Sequence, residues 1–204
     1  SHTKIISFVD VLRKYKPTLI IGYSNALFTF FKVLKDKKIS IPPPKGIIAT
    51  AETLFPWQRD MIENVSGTRV FNRYGSREVG LICSECDNHS GMHINAENIY
   101  LECIKNGKPA TPGESGDVVV TDLLNYGMPL IRYNMDDIAS FSDKTCDCGR
   151  GLPLITKVDG RRSDMIVTND GRFIHGEYFT HLFYNIIGVD KFQLVQKKNG
   201  SIIV

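Results

Sequence analysis

Two close cysteine pairs, Cys83-x-x-Cys86 and Cys146-x-Cys148, carry the chemistry that stands out first. Four thiolates can close a tetrahedral zinc site with zinc–sulfur bonds of about 2.3 Å. Gly149 and the turn-like Ser84-Glu85 permit the tight knuckles such a site needs, and His89 and His93 are reserve ligands. With sulfur at every position the zinc would be structural, stapling the loop after Glu78 to the loop after Ser142. The bland alternative is four reduced, unrelated thiols. The fifth cysteine, Cys103, alternates with apolar neighbours and suits a core.

Just ahead of the first pair, Val70 to Cys86 reads VFNRYGSREVGLICSEC. It begins as an apolar strand end and breaks at Tyr74-Gly75, where glycine lets the backbone turn and approach a ligand. It then presents Arg77 and Glu78 on a loop. Open α/β sheets place ligands at loops of this kind, although glycine and polar residues also make ordinary turns. Further on, Asp137 follows Arg132-Tyr133-Asn134-Met135-Asp136. A carboxylate ending an extended segment can accept both hydroxyls of a ribose; a loop aspartate can equally cap a turn. Gly160-Arg161-Arg162-Ser163-Asp164 sets two cations and an acid between segments, as a hinge or as a solvated basic turn.

The elements that must position these residues fall into three characters. Phe8, Val9, Leu12 and Tyr15 share a helical face that Pro17 ends. Leu19-Ile20-Ile21, Gly46 to Ala49 and Thr68 to Asn72 read as short strands. They alternate with a helix capped by Ser24 and with a helix bearing Trp57, Met61, Ile62 and Val65 that stops near Gly67. Such alternation predicts a parallel sheet with flanking helices, and places loops 50–53 and 72–78 at the carboxyl ends of strands. After Gly80 the period becomes two, with hairpin chemistry at Asn106-Gly107, a strand over 117–121 and an extended piece over 129–133. Residues 81–158 are therefore expected to form an antiparallel, β-barrel-like unit with the zinc knuckle. From 159 to 204 a small α+β segment is expected: a strand near Met165, a turn at Asn169-Asp170-Gly171, a helix over 178–186 and a hairpin at Asn199-Gly200. The division is thus 1–80, 81–158 and 159–204, the last read as truncated because the chain stops within an apolar strand.

Composition narrows the function. Hydrophobic residues at 42% and charged residues at 23% support a packed core and argue against disorder. A net charge of +3, with no basic stripe interleaved with aromatics, argues against a nucleic-acid module. No apolar run approaches the roughly 20 residues of a membrane span, and residues 1–6 hold no signal-peptide core. A cytoplasmic setting is expected, where paired cysteines suit a metal better than a disulfide.

Taken together, Ala51-Glu52, Asn72-Arg73-Tyr74-Gly75-Ser76-Arg77-Glu78, Gly113-Glu114-Ser115-Gly116-Asp117, Arg132 to Asp137 and Gly160 to Asp164 resemble, in that order, the motifs of the adenylate-forming superfamily. Within it the sequence is most similar to the phenylacetate–CoA ligase branch with its capsular-polysaccharide-associated members. Gly91-Met92-His93 and Cys146 to Arg150 resemble that branch too. The resemblance spans residues 51–164. It implies ATP-dependent activation of a small carboxylic acid as an acyl-adenylate, then transfer to a thiol such as coenzyme A. Carried over residue by residue, Ala51, Glu52 and Thr53 would border the adenine and Tyr74 would stack on it within the loop that includes Gly75 and Ser76. Glu78 would be the catalytic acid that helps hold Mg²⁺, a cation that prefers oxygen ligands. Asp137 would bind the ribose and Arg161 would sit near ribose or phosphate. A homodimer is implied by analogy with this branch.

Departures accompany the match. Thr50 and Thr53 stand where the family has Gly and Pro, Asp136 where Gly or Arg is common, and Ser163 where many members carry an acid. The Gly/Ser/Thr-rich phosphate loop and the late lysine of the mobile domain are not found, so the chain by itself is expected to be inactive. The competing expectations are an adenylylating or amide-forming synthetase without CoA transfer, and a zinc-stapled binding module whose site has decayed.

Overall fold

The computed structural model describes residues 2–168, 173–183, 186, 188–189, 192–197 and 199–204. Helix α1 (His2–Tyr15) leads into β1 (Leu19–Tyr23), α2 (Ser24–Asp36), β2 (Gly46–Thr50), α3 (Pro56–Ser66) and β3 (Val70–Ser76). Strands β1, β2 and β3 pair in parallel, as strand–helix alternation requires. Phe31 and Leu34 of α2 and Ile62 of α3 pack on Ile47, Ala49 and Val70, forming one buried cluster on one face of the sheet. On β1, Leu19, Ile21 and Tyr23 point the other way and are exposed. Pro56 opens α3, where its missing N–H costs nothing, and Gly67 closes it in the left-handed region at φ 68°.

The chain then turns back on itself: β4 (Gly80–Glu85) runs antiparallel to β3. It is followed by β5 (Met92–Ile94), β6 (Ile99–Lys105), β7 (Lys108–Pro109), β8 (Ser115–Asp122), β9 (Tyr133–Ser142) and β10 (Leu154–Arg161). All ten strands join in one sheet of order β1-β2-β3-β4-β5-β10-β9-β8-β6-β7. The strands of 81–158 therefore extend the parallel sheet and leave β1 and β7 as edges, rather than making a closed unit of their own. The antiparallel β3–β4 pair is the physical reason, because it carries the hydrogen-bond ladder straight across residue 80.

This sheet curls strongly. Ile82, Met92, Ile99, Val118, Ala139 and Ile155, from six different strands, belong to a single buried cluster. A flat sheet spaces neighbouring strands about 4.8 Å apart and could not bring them together. Bulges at Asp117/Val119, Ile155/Lys157 and Val158/Gly160 supply the bending. Asn106 and Gly107, both at positive φ, make the expected tight hairpin between β6 and β7. Residues 123–132 form a connection whose Leu124, Tyr126, Met128 and Ile131 are exposed, so the extended piece expected over 129–133 becomes strand only from Tyr133.

After Arg161 a single 3₁₀ turn, Arg162–Asp164, leads into a separate two-stranded sheet of β11 (Met165–Val167) and β12 (Phe173–His175), then α4 (Gly176–Phe183). Strands β13 (Val195–Gln196) and β14 (Ile202–Ile203) form the hairpin expected around Asn199-Gly200. The turn expected at Asn169-Asp170-Gly171 lies outside the described residues. No helix among the described residues is long and apolar enough to cross a membrane.

Close approach of backbones explains one motif glycine. A Cβ on Gly116 would lie 2.9 Å from both the amide nitrogen and the carbonyl oxygen of Ile104 on the neighbouring strand. Gly116→Ala should therefore lower unfolding stability by about 1–3 kcal/mol, the usual range for overpacking against rigid neighbours. A urea titration followed by circular dichroism measures it, and an unchanged midpoint would show that β6 and β8 can separate at little cost.

Candidate functional site

Tyr74 lies on β3 and Asp137 on β9, yet the Tyr74 hydroxyl donates a 2.6 Å hydrogen bond to Asp137 Oδ2. Asp137 is thus inside a strand, not at the end of an extended segment, and stands directly opposite Arg161 of β10. The preceding Asp136 has φ 58°, a conformation unusual for a non-glycine residue, with its N–H donating to Asn134 Oδ1. Burial pushes the Asp137 carboxyl above its ordinary range. The Tyr74 hydroxyl and the Arg161 charge pull it back, while Asp136 and Asp164 push it up. The Tyr74 phenol is held protonated, first by burial and then by its bond to Asp137.

Glu78 sits in the turn between β3 and β4 and is exposed. The Ser76 hydroxyl holds its carboxyl below the ordinary range, followed by its own backbone N–H, with Arg161 and Arg77 adding to the effect. Arg161 thus acts electrostatically on both acids, and β3, β9 and β10 bring Tyr74, Glu78, Asp137 and Arg161 to one place. Gly75 begins the register shift between β3 and β4, and a Cβ there would collide with the Gly80 carbonyl oxygen. Beside the Glu78 turn opens a cleft of about 330 Å³ lined by Val79, Leu81, Asn98, Ile99, Asp122 and Leu124.

The loop after β2 lies one strand away, with Thr50 opposite Arg73. Ala51 is at φ 66°. Glu52 turns its carboxylate to the start of α2, accepting the Asn25 N–H at 2.8 Å, and its carbonyl accepts the Ser24 hydroxyl at 2.9 Å. Helix α2 is therefore capped from the loop, and Ser24, expected to cap it, ties the loop down instead. Gln58 Nε2 completes the clamp by donating to Asn25 Oδ1 at 2.8 Å. Both the carboxylate and the carbonyl of Glu52 are thus engaged by the start of α2. Nothing in the spacing of Asn25, Glu52 and Gln58 signals this contact.

The thiols do not assemble as their spacing suggests. Cys86, His93, Cys146 and Cys148 bring their ligand atoms within 4.8 Å of one another, and Cys83 is not among them. Strand geometry is the reason. Strand β4 stays extended through Glu85, so residues three apart point to opposite faces, and Cys83 enters the core opposite Tyr74. Burial pushes its thiol up to about 12, unsuited to a ligand. His93 takes its place, with Nε2 3.3 Å from Cys148 Sγ, while Cys86 and Cys146 sulfurs are 3.6 Å apart. Tetrahedral zinc asks for ligand separations of roughly 3.5–3.8 Å, so the three-sulfur, one-nitrogen set fits a zinc ion. The Ser90 hydroxyl, 3.2 Å away, and then the Cys148 N–H draw the Cys146 thiol down to about 6, towards the thiolate a metal needs. His89, the other reserve ligand, points elsewhere: its Nδ1 is 3.1 Å from Glu85 Oε2 and its ring stacks on Phe71. Arg59 of α3 grips Glu85 at 2.7 and 2.9 Å, and Glu85 also accepts the Asn72 N–H at 2.6 Å. This half-buried ion pair, which sequence reasoning missed, fixes β3 to the metal-side end of β4.

No protein-family model matches the chain. Its sequence is 26% identical over 155 residues to a phenylacetate–coenzyme A ligase of Thermus thermophilus, covering 72% of this chain and 35% of that protein. It is 28% identical over 120 residues to the corresponding Escherichia coli ligase, covering 55% and 27%. The chain thus spans about a third of the length of the curated relatives it matches. Among solved structures, 2-hydroxyisobutyryl-CoA ligase bound to its acyl-adenylate superimposes with a TM-score of 0.78 at 22% identity, over 90% of this chain and 41% of that one. Bacillus subtilis O-succinylbenzoate coenzyme A synthetase with AMP does so with a TM-score of 0.67 at 14% identity, over 97% and 42%. The sheet with its flanking helices is the fold of adenylate-forming ligases. The chain thus shares its fold with adenylate-forming ligases, and the relatives its sequence is similar to are phenylacetate–coenzyme A ligases.

The raised Asp137 carboxyl has a stability consequence with a definite sign. An acid whose folded pKa exceeds its unfolded value binds its proton more tightly when folded, so its ionisation costs stability as pH rises through that window. Asp137→Asn should match the wild type near pH 3.5 and unfold at a higher temperature than the wild type at pH 7. Thermal melts across this range check it, and a variant less stable at pH 7 would show that the charge contributes more than it costs.

Proposed function

We propose that this chain is the nucleotide-binding portion of an AMP-forming ligase that activates a small carboxylic acid and passes it to coenzyme A. The observation that carries the reading is the convergence of Tyr74, Glu78, Asp137 and Arg161, from elements up to 87 residues apart in the sequence, on one end of the sheet. A half-buried acid with a neighbouring cation is a functional-site signature. In this reading Asp137 accepts the ribose hydroxyls and the Tyr74 ring lies against the adenine bordered by the backbone of Ala51, Glu52 and Thr53. Gly75 and Ser76 shape the turn that carries Glu78. Glu78, exposed and ionised, offers oxygen to Mg²⁺, which would neutralise phosphate charge. Arg161 faces the same anionic region. The carboxylate oxygen of the substrate bonds to the α-phosphorus, the bond to the β-phosphate bridge breaks, and pyrophosphate leaves with its electron pair. A thiolate then displaces AMP from the acyl carbon. The residues contribute by positioning and by preorganised charge. The cleft beside Val79 and Leu81 is the place for the acyl group. Reduced thiols around a zinc ion suit a cytoplasmic enzyme.

The metal is structural in this reading. Cys86, His93, Cys146 and Cys148 would hold zinc at the far end of β4 and β5, leaving no position for a reacting water. Metal analysis of the purified protein should find about one zinc per chain, lost in Cys86→Ala and His93→Ala and retained in Cys83→Ala. Zinc retained without His93 and lost without Cys83 would restore the all-cysteine set.

The reaction itself is tested by carboxylate-dependent ATP–pyrophosphate exchange with the full-length gene product and a panel of aryl and acyl acids. Exchange should appear with at least one acid and fall on the order of 100-fold in Asp137→Ala, since two hydrogen bonds to a charged group are lost. Exchange without any later thiol requirement would favour an amide-forming synthetase. No exchange with any acid, from folded and zinc-bearing protein, would favour the zinc-stapled binding module.

A further inference from the structure

Tyr74 brings more to the site than an aromatic face. A phenylalanine would stack on a base equally well, so the hydroxyl and its 2.6 Å bond to Asp137 Oδ2 need their own explanation. The tyrosine is held firmly: its ring packs against the core cluster, and its backbone pairs with Cys83. Asp137 is fixed through its backbone opposite Arg161, but its carboxylate has no other side-chain or backbone hydrogen bond among the described residues. An ionised carboxylate offers about four acceptor positions. The hydroxyl takes one of them on Oδ2 and leaves Oδ1 entirely open. It therefore sets which way the open oxygens point, and it does so from a rigid ring rather than from a mobile chain. It also favours the ionised carboxylate against burial and against Asp136 and Asp164.

We propose that the Tyr74 hydroxyl is the positioning group that turns Asp137 into a ribose-selective acceptor, so that preference for ribonucleotides over deoxyribonucleotides depends on it. This rests on the nucleotide-binding reading above. Two vicinal hydroxyls meet a carboxylate well only when its plane is set, because both hydrogen bonds are directional. A carboxylate free to rotate loses part of that gain to ordering. The departure at Asp136 sharpens the need. A second acid immediately before Asp137 raises the cost of charge there, and the hydroxyl together with Arg161 offsets it.

The experiment is calorimetric binding of AMP, 2′-deoxy-AMP and 3′-deoxy-AMP to the full-length gene product and to its Tyr74→Phe variant, with circular dichroism to establish folding. The wild type should prefer AMP over both deoxy forms. Tyr74→Phe should weaken AMP binding about tenfold and shift the deoxy forms by no more than about twofold, the scale of one hydrogen bond to a charged group. The ribose preference then collapses while adenine recognition persists. A second readout is the acid limb of AMP binding. It should move to higher pH in Tyr74→Phe, because Asp137 then faces Asp136, Asp164 and Arg161 without its donor. A folded variant that keeps the wild-type ratio of AMP to deoxy-AMP affinity would overturn the inference, as would an equal loss for all three nucleotides, which marks a merely structural tyrosine. A wild type that binds none of the three would instead defeat the nucleotide reading on which the inference stands.

Discussion

The curl of the ten-stranded sheet is the constraint on which the rest of the structure depends. Strands β3 and β9 are four steps apart in the hydrogen-bond order. In a flat sheet that is about 19 Å, far beyond the reach of a tyrosine side chain. The Tyr74–Asp137 bond exists because the sheet, with bulges in its β8–β9 and β9–β10 pairs, bends around the apolar cluster of the later strands against which Tyr74 packs. Burial of the core side chains drives the curl, and the polar site forms at its rim as a consequence. The site thus inherits its precision from strand pairing, which is more rigid than a loop.

Charge at this rim is balanced rather than neutral. Asp136, Asp137, Asp164 and Glu78 are set against Arg77 and Arg161, with Asp137 half-buried among them. Holding an acid in that environment works against stability. Proteins accept such local cost where a group must meet a ligand, and compensate elsewhere. Here the compensation is visible nearby: the half-buried Arg59–Glu85 pair, the Asn72 amide on the same carboxylate, and the clamp of Glu52, Asn25 and Gln58 stiffen the strands and the loop that flank the site.

The cysteine–histidine cluster holds the other end of the same strands. Residues 86–91 and 143–153 have no regular secondary structure, and Cys86, Cys146 and Leu154 form a small apolar cluster of their own. A metal ion joining them would replace the core that these short loops are too small to build. Glu85 lies between the two ends, adjoining Cys86 on one side and accepting the Asn72 amide on the other, so the cluster and β3 share a support.

Much of this was legible in the residues themselves. Alternating apolar strands and helices, the Asn106-Gly107 hairpin, Gly67 at a helix end and the motif-bearing loops are local, because backbone sterics and hydrophobic periodicity act over a few residues. Tyr74, Glu78, Asp137 and Arg161, singled out through motif order, also lie near one another in the fold. What the amino-acid sequence alone did not determine was who touches whom. Cys83 is excluded and His93 admitted because extended β4 sends residues three apart to opposite faces, whereas the close spacing of the thiols suggested a knuckle. Glu52 caps α2 from 27 residues away, and Asp137 sits within β9, met by a tyrosine 63 residues earlier. Those contacts arise from sheet order and curvature. Both are set by burial of many side chains at once, and no local stretch of sequence carries that information.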